Sequence, residues 1–390
     1  MAQLPPTADA VVVGGGVMGA AIAFHLAARG GGSVVLLERA AVCSGPTRHS
    51  TAIVRLHYTQ PLLVRMALHG LRTYRRFEDA VGSSSGFART GMLFGVAPEE
   101  RAMLEQNVAV GRSEGAETFV VDAEQVAELD PRIVADDLAF CFEPEAGRCD
   151  PYLVTAGFAA AARRAGASVA EGVRATAVSA DGTVDTTAGR IAAGAVVVAA
   201  GVWSRPLLAP LGYDLPVHAA PAEVGRYRLP DGFTPPPAVA DFSGPQLYFC
   251  PVEPGFLEVG SLAPAHADET VDPDVPPEGA RADTLDAYAR ALRLRLRGSN
   301  GGHWRGAWTG VYDVTPDWEP TIGRVPGCDG VHVAAGFSGH GFKLAPAVGT
   351  ALAELVLDGA SRTFDLDLLA PDRFERGALV GARYGYSVLG

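Results

Sequence analysis

The 390-residue sequence has no apolar run near the roughly 20 residues that a membrane-spanning helix needs. Its longest, Ala192 to Val202, is shorter and broken by glycine. Cysteine is scarce, with five residues, an odd number, and none in CxxC spacing. A disulfide scaffold is thereby excluded, and free thiols in a reducing cytoplasm are expected. Positive charge is in deficit: 32 Lys and Arg stand against 44 Asp and Glu, a net charge of −12. Such a balance disfavours a nucleic-acid surface and leaves local basic clusters as the candidate anion sites. Met1–Asp9 carries no basic segment ahead of its apolar stretch, so no secretory signal is read. No His, Cys, Asp and Glu cluster has metal-ligand spacing, and no metal is expected. Internal repeats are absent, as is a Gly-x-Ser-x-Gly elbow between strand and helix.

What remains is a glycine-rich α/β protein, 48% hydrophobic with 47 glycines and 28 prolines, long enough for two or three domains. Ala10 to Val13 reads as a strand buried on both faces. It runs into Gly14-Gly15-Gly16-Val17-Met18-Gly19, then a helix from Ala20 to Arg29, then a strand Val34 to Leu37 ending at Glu38. In a Gly-x-Gly-x-x-Gly pattern in this context, Gly14 permits the tight turn and Gly16 a close approach to a pyrophosphate. Gly19 lets the helix pack against the strand, and Glu38 can accept hydrogen bonds from a ribose diol. Dinucleotide binding follows from the motif; the choice between NAD and FAD does not.

Further along, residues 61–80 read as a helix, Glu99 to Gly115 as another, and Tyr152 to Ala165 as a long alanine-rich one. Ser168 to Ala170 and Ala195 to Ala200 read as strands. Between about Pro216 and Val325 proline is frequent and the strands are expected to be short, with a helix near Thr284 to Arg297. The proline-dense 264–279 segment is expected to be a surface loop. The chain closes with strand Val331 to Ala335, a loop Gly336 to Phe342, and helix Leu344 to Leu357.

Three further segments carry a family resemblance: Ser50-Thr51-Ala52-Ile53-Val54-Arg55, Val196 to Ser204, and Ala334-Ala335-Gly336-Phe337-Ser338-Gly339-His340-Gly341-Phe342-Lys343. With the N-terminal fingerprint, the sequence is similar to the flavoprotein amine oxidoreductases of the D-amino-acid-oxidase superfamily, particularly the sarcosine oxidase branch. The resemblance implies an α/β (α+β) fold: a Rossmann-like FAD-binding domain with an inserted antiparallel-sheet substrate domain. The expected boundaries are 1–85, 150–215 and 323–390 for the FAD-binding domain, and 86–149 and 216–322 for the substrate domain. It assigns cofactor contacts to Gly14, Gly16, Val17, Met18, Gly19, Glu38, Arg39, Ser50, Thr51, Val173 and Gly201. In the late loop it adds Gly336, Gly339, His340, Gly341, Phe342 and Lys343.

The implied reaction is FAD-dependent oxidation of the C–N bond of a secondary or cyclic amino acid to an imine, released or hydrolysed to an aldehyde or keto acid. Arg55 and Lys343 would grip the substrate carboxylate, one as a planar fork and the other as a point charge. Tyr248, Glu258 and His340 complete the candidate catalytic residues, with cofactor positioning favoured over general-base chemistry for His340. His49 and His57 are assigned no chemistry. The loop from Gly336 to Phe342 offers backbone N–H groups to negative charge on a reduced flavin. Gly310 stands where relatives carry a flavin-linked cysteine, so FAD is expected to be held non-covalently. Glu258 and Ala52 stand where those oxidases carry a lysine and an arginine, so oxygen is expected to be a slow acceptor and another electron acceptor to serve. Oxidation of a D-amino acid or 2-hydroxy acid, or a flavin-bearing subunit of a hetero-oligomeric dehydrogenase, are the alternatives.

Overall fold

The computed structural model describes residues 4–263 and 268–381. Two eight-stranded sheets organise the chain. The first runs Ala175–Val178, Thr183–Thr186, Gly189–Val198, Thr7–Val13, Val34–Glu38, Ser168–Glu171, with Val331–Ala335 and then Thr321–Arg324 joined beside Gly189–Val198. Its centre is parallel: Thr7–Val13 pairs in parallel with both flanking strands, and Val331–Ala335 with residues 196–198. Val11, Val12, Val196, Val197 and Leu36 are fully buried there, because helices and loops cover both faces. The helix Val17–Ala28 lies on one face, packed between Pro151–Arg164 and Ala345–Asp358. Alanine and glycine dominate those three helices, which lets their backbones approach closely. Thr321–Arg324 straddles the expected 322/323 boundary and belongs to this sheet.

The second sheet runs His303–Val314, His218–Arg228, Phe256–Ser261, Leu247–Glu253, Ala238–Asp241, Met92–Val96, Ala139–Glu143, Phe119–Val121. It is antiparallel except where Ala238–Asp241 runs parallel to Met92–Val96. That exception arises because residues 92–96 and 238–241 come from two different excursions of the chain. Ile53–Val54, Gly147–Arg148 and Ala88–Arg89 form a separate three-stranded patch.

The expectation of short strands after Pro216 is corrected: His218–Arg228 has 11 residues and His303–Val314 has 12. Pro221 is tolerated because Phe256–Ser261 pairs only with residues 224–228, leaving the proline a single neighbouring strand. The helix expected over 61–80 divides into Pro61–Arg75 and Phe77–Val81. Residues 268–279 of the proline-dense segment form a non-helical, non-strand connection; 264–267 lie outside the described residues.

The stretch after the last long helix is tied down by charge. Arg373 and Asp317 are each about 1% exposed, paired through Nε–Oδ2 at 2.9 Å and Nη2–Oδ1 at 3.0 Å. Arg373 also donates to Thr321 Oγ1 and the Glu319 carbonyl, so all of its buried nitrogens are satisfied. Burial opposes ionisation of Asp317, but Arg373 outweighs it and holds the carboxyl below its usual range. The loop 315–319, which backs the candidate site, is thereby clamped.

Candidate active site

The glycine fingerprint sits at the carboxyl end of the central strand, where loops meet the cleft between the two sheets. Gly14 has φ +113°, and a Cβ there would meet the Ala199 carbonyl oxygen at 2.4 Å. At Gly19 a Cβ would meet the Gly14 carbonyl oxygen at 1.8 Å, so helix and strand close up only because both are glycine. The Glu38 carboxylate accepts from the N–H groups of Gly15 at 2.7 Å and Ala40 at 2.9 Å, which fixes it at the rim. Thr47 Oγ1 accepts from Val17 N–H at 3.2 Å, capping the helix start.

A cavity of about 810 Å³ begins at this turn and runs to the second sheet. Of the expected cofactor residues, Gly14, Gly16, Val17, Met18, Glu38, Arg39, Ser50, Thr51, Val173, Gly201, Gly339, Gly341, Phe342 and Lys343 line it. Gly19 and Gly336 do not line it; Gly19 packs against the Gly14 carbonyl, and Gly336 N–H donates to the cavity-lining Asp313. At the Glu38 end the Arg39 guanidinium lies 4.1 Å over the Trp203 ring, and Asp274 accepts from both Arg39 Nη1 at 2.6 Å and Trp203 Nε1 at 2.9 Å. Asp274 comes from the 268–279 connection, so a distant loop braces this rim.

At the other end the cavity meets Arg55 and Lys343, 2% and 3% exposed. Arg55 Nη1 donates to the His57 carbonyl, while its Nη2 is buried with no hydrogen-bond partner. Lys343 Nζ donates to the His340 carbonyl at 3.2 Å, and both cations face the Tyr58 ring, at 4.6 Å and 5.7 Å. Burial, and then the Arg55 charge, push the Lys343 ammonium well below its usual pKa. Two buried carboxyls balance the pair. Glu143 accepts from Leu56 N–H at 2.8 Å and is raised by burial to about 7; Glu319 is raised by burial, then by Asp317, to about 8.

His340 is brought near the cations but not to the cavity. Its Nε2 lies 2.8 Å from the Trp318 carbonyl and its Nδ1 3.3 Å from the Tyr58 hydroxyl. Burial holds it down to about 3, so the ring is neutral, donating from Nε2 and accepting at Nδ1. With both nitrogens engaged it positions Trp318 and Tyr58. Tyr248 lines the cavity. Glu258 does not: it lies on the same face of the second sheet, one step beyond, cross-strand from Arg226 and Cys250, with Oε2 unpartnered. Burial raises its carboxyl above the usual range.

The expected N–H cradle of the late loop is partly occupied. Asp313, raised by burial to about 6, accepts from Gly336 N–H at 2.7 Å and Phe337 N–H at 3.2 Å. Phe337, Gly339, Gly341 and Phe342 are the cavity-lining residues of the loop, with Tyr312 packed so that a Cβ at Gly339 would touch its ring at 2.6 Å. Thr47, Asp313, Glu143, Glu319 and Tyr58 escaped the sequence reading. None has a local pattern, and each acquires its place only when distant segments meet.

The arrangement predicts the sign of a pH effect. Rising pH removes the Lys343 proton and ionises Glu143 and Glu319, and each change opposes an incoming anion. The affinity of a simple carboxylate such as acetate should fall by up to about tenfold per pH unit between about pH 6 and 9, measured by calorimetric titration. An affinity independent of pH over that range would contradict the placement of these charges.

The sequence and fold have counterparts among known proteins. Residues 9–355 match the family described as DAO, FAD dependent oxidoreductase. The chain is 29% identical over 387 residues to 4-methylaminobutanoate oxidase (formaldehyde-forming) of Paenarthrobacter nicotinovorans, covering 95% of this chain and 46% of that protein. It is 28% identical over 371 residues to glycine oxidase of Geobacillus kaustophilus, covering 92% and 95%. The crystal structure of L-proline dehydrogenase from P. horikoshii superposes with a TM-score of 0.88 at 27% identity, covering 97% and 100%. The chain thus spans about half the length of the first relative and nearly all of the other two. The match over most of the chain, the glycine cradle and the long cavity lead to one conclusion: the chain belongs to the DAO family of FAD-dependent oxidoreductases.

Proposed function

We propose that this protein oxidises the C–N bond of a secondary or cyclic amino acid to an imine, with Arg55 and Lys343 binding the substrate carboxylate. The observation that carries the reading is the buried Arg55 Nη2, unpartnered, beside a second buried cation on the cavity wall. An uncommitted donor of this kind is costly unless a ligand completes it. The names of the relatives, which act on methylaminobutanoate, glycine and proline, support an amine that also bears a carboxylate.

FAD fits the residues present: the glycine turn is open where Gly14 and Gly16 line the cavity, and the cavity continues to Gly339 and Gly341. When bound, FAD supplies the acceptor for the hydride equivalent that leaves the carbon next to nitrogen. The protein's part is orientation. Arg55 and Lys343 fix the carboxylate, and the Tyr58–His340–Trp318 chain holds Lys343's anchoring carbonyl in place. The second sheet supplies a dry wall on the far side of the substrate. The buried, unpaired thiols at positions 43, 141, 149, 250 and 328 support a reducing, cytoplasmic setting.

Anaerobic mixing with N-methyl amino acids, cyclic imino acids and hydroxy acids tests the reading: bleaching of the flavin by the amines is expected, and bleaching by hydroxy acids alone would overturn it. Arg55→Ala or Lys343→Met should raise KM at least about thirtyfold while FAD stays bound, the loss expected when one member of a buried charge contact is removed. Unchanged KM in both variants would remove their role.

FAD is held non-covalently in this reading, because Gly310 offers no thiol and Cys328, nearest in sequence, is not on the cavity wall. Acid precipitation should leave yellow flavin in the supernatant; colour that stays with the pellet contradicts this.

The electron acceptor is other than oxygen. Ala52 carries no charge, Glu258 lies off the cavity wall, and the two cations at the substrate end, Arg55 and Lys343, are committed to the carboxylate. Turnover with oxygen alone should be at least about tenfold slower than with an artificial dye acceptor. Equal rates would make the protein an oxidase.

A further inference from the structure

The wall opposite the glycine turn is unusually uniform. Met92, Ala222, Val224, Ala240, Phe242 and Leu262 all line the cavity from the second sheet and its edges. They form one face: Ala222 and Val224, and Ala240 and Phe242, are spaced by two along their strands. The pairs Ala240↔Tyr248, Tyr248↔Gly260 and Val224↔Gly260 join them across the sheet. Tyr248 lies flat on this face, since a Cβ at Gly260 would meet its ring at 2.6 Å. The charged residues of the same face, Arg226 and Glu258, lie one step further along and do not reach the cavity.

Every other charge on the cavity wall is spent or distant. Glu38, Arg39 and Arg174 stand at the far rim. Asp313 is taken by two backbone N–H groups, and Arg48 follows Thr47, whose hydroxyl accepts from Val17 N–H, so it belongs to the glycine-turn end. The substrate end therefore offers one anion site and, facing it, apolar surface with small residues at positions 222 and 240.

Resting on the function proposed above, we infer that the substrate is a monocarboxylate whose remaining carbon frame is uncharged and at least as bulky as a five-membered ring. A cyclic, branched or aryl amine gains by displacing water from this wall. A second carboxylate or a second ammonium would be buried there without a counter-ion, which rejects diacids and diamines. Glycine-sized amines would leave the wall unfilled. Ala240 sets the room available, because a longer side chain at that position would fill the space beside Tyr248.

The test uses the FAD holoenzyme and carboxylates that cannot be oxidised, read by perturbation of the flavin absorbance. Cyclopentanecarboxylate should bind at least about tenfold tighter than acetate, and succinate no tighter than acetate. Ala240→Leu should erase that preference with FAD content unchanged. If this variant loses FAD, Leu262→Ser should weaken cyclopentanecarboxylate alone. Acetate or succinate binding as tightly as cyclopentanecarboxylate overturns the inference. In a parallel anaerobic reduction series, proline and N-methylleucine should exceed sarcosine and N-methylaspartate at least about tenfold in rate constant over half-saturating concentration. Sarcosine matching them overturns the inference and leaves the amine-oxidation reading standing. Reduction by no amine overturns that reading, and the carboxylate titration still decides what the wall prefers.

Discussion

Two cations buried side by side make the constraint around which this molecule is organised. Arg55 and Lys343 each lose nearly all contact with water, and their charges repel one another. The structure offsets this with the Tyr58 ring, with the His57 and His340 carbonyls, and with Glu143 and Glu319 placed behind them. The compensation stops short of completion, because Arg55 Nη2 is left without a partner. An open donor buried on a cavity wall is the feature on which the proposed carboxylate site rests.

The supporting structure follows from the same constraint. Lys343 is held by a carbonyl in the loop between strand Val331–Ala335 and helix Ala345–Asp358. That loop is held by Asp313 from the second sheet and by His340 against Trp318. Trp318 in turn belongs to the loop clamped by the buried Asp317–Arg373 pair. A continuous set of hydrogen bonds thus runs from the C-terminal stretch to the cation, so the site's geometry rests on packing at some remove from the cavity.

The two ends of the cavity answer to different physics. Around Gly14 the backbone itself does the work, through close approaches that only glycine allows and through the helix start. At the second sheet, strand alternation presents an apolar face to the cavity, with Tyr248 lying across it and its charged members, Arg226 and Glu258, one step beyond. One end thus offers backbone groups, and the other pairs two buried cations with apolar surface.

Much of this was legible in the sequence, and the reason is local. A glycine turn between a strand and a helix needs certain residue types at fixed spacings, so Gly14, Gly16, Gly19 and Glu38 could be assigned roles before any fold was known. Apolar runs and helix periodicity likewise marked the first sheet and the helices near it. Arg55 and Lys343 stand out in the sequence through family-like motifs, and the fold brings both to the cavity wall. The strands after Pro216 were underestimated, because proline reads as an interruption until one knows that its neighbour strand ends three residues away. The roles of Thr47, Asp313, Glu143, Glu319 and Asp274, the withdrawal of His340 and Glu258 from the cavity, and the apolar wall were decided by tertiary structure alone. Each depends on contacts between segments tens to hundreds of residues apart, and burial, which raises or lowers a carboxyl, an imidazole or an ammonium, is a property of the assembled fold and of no stretch of the chain.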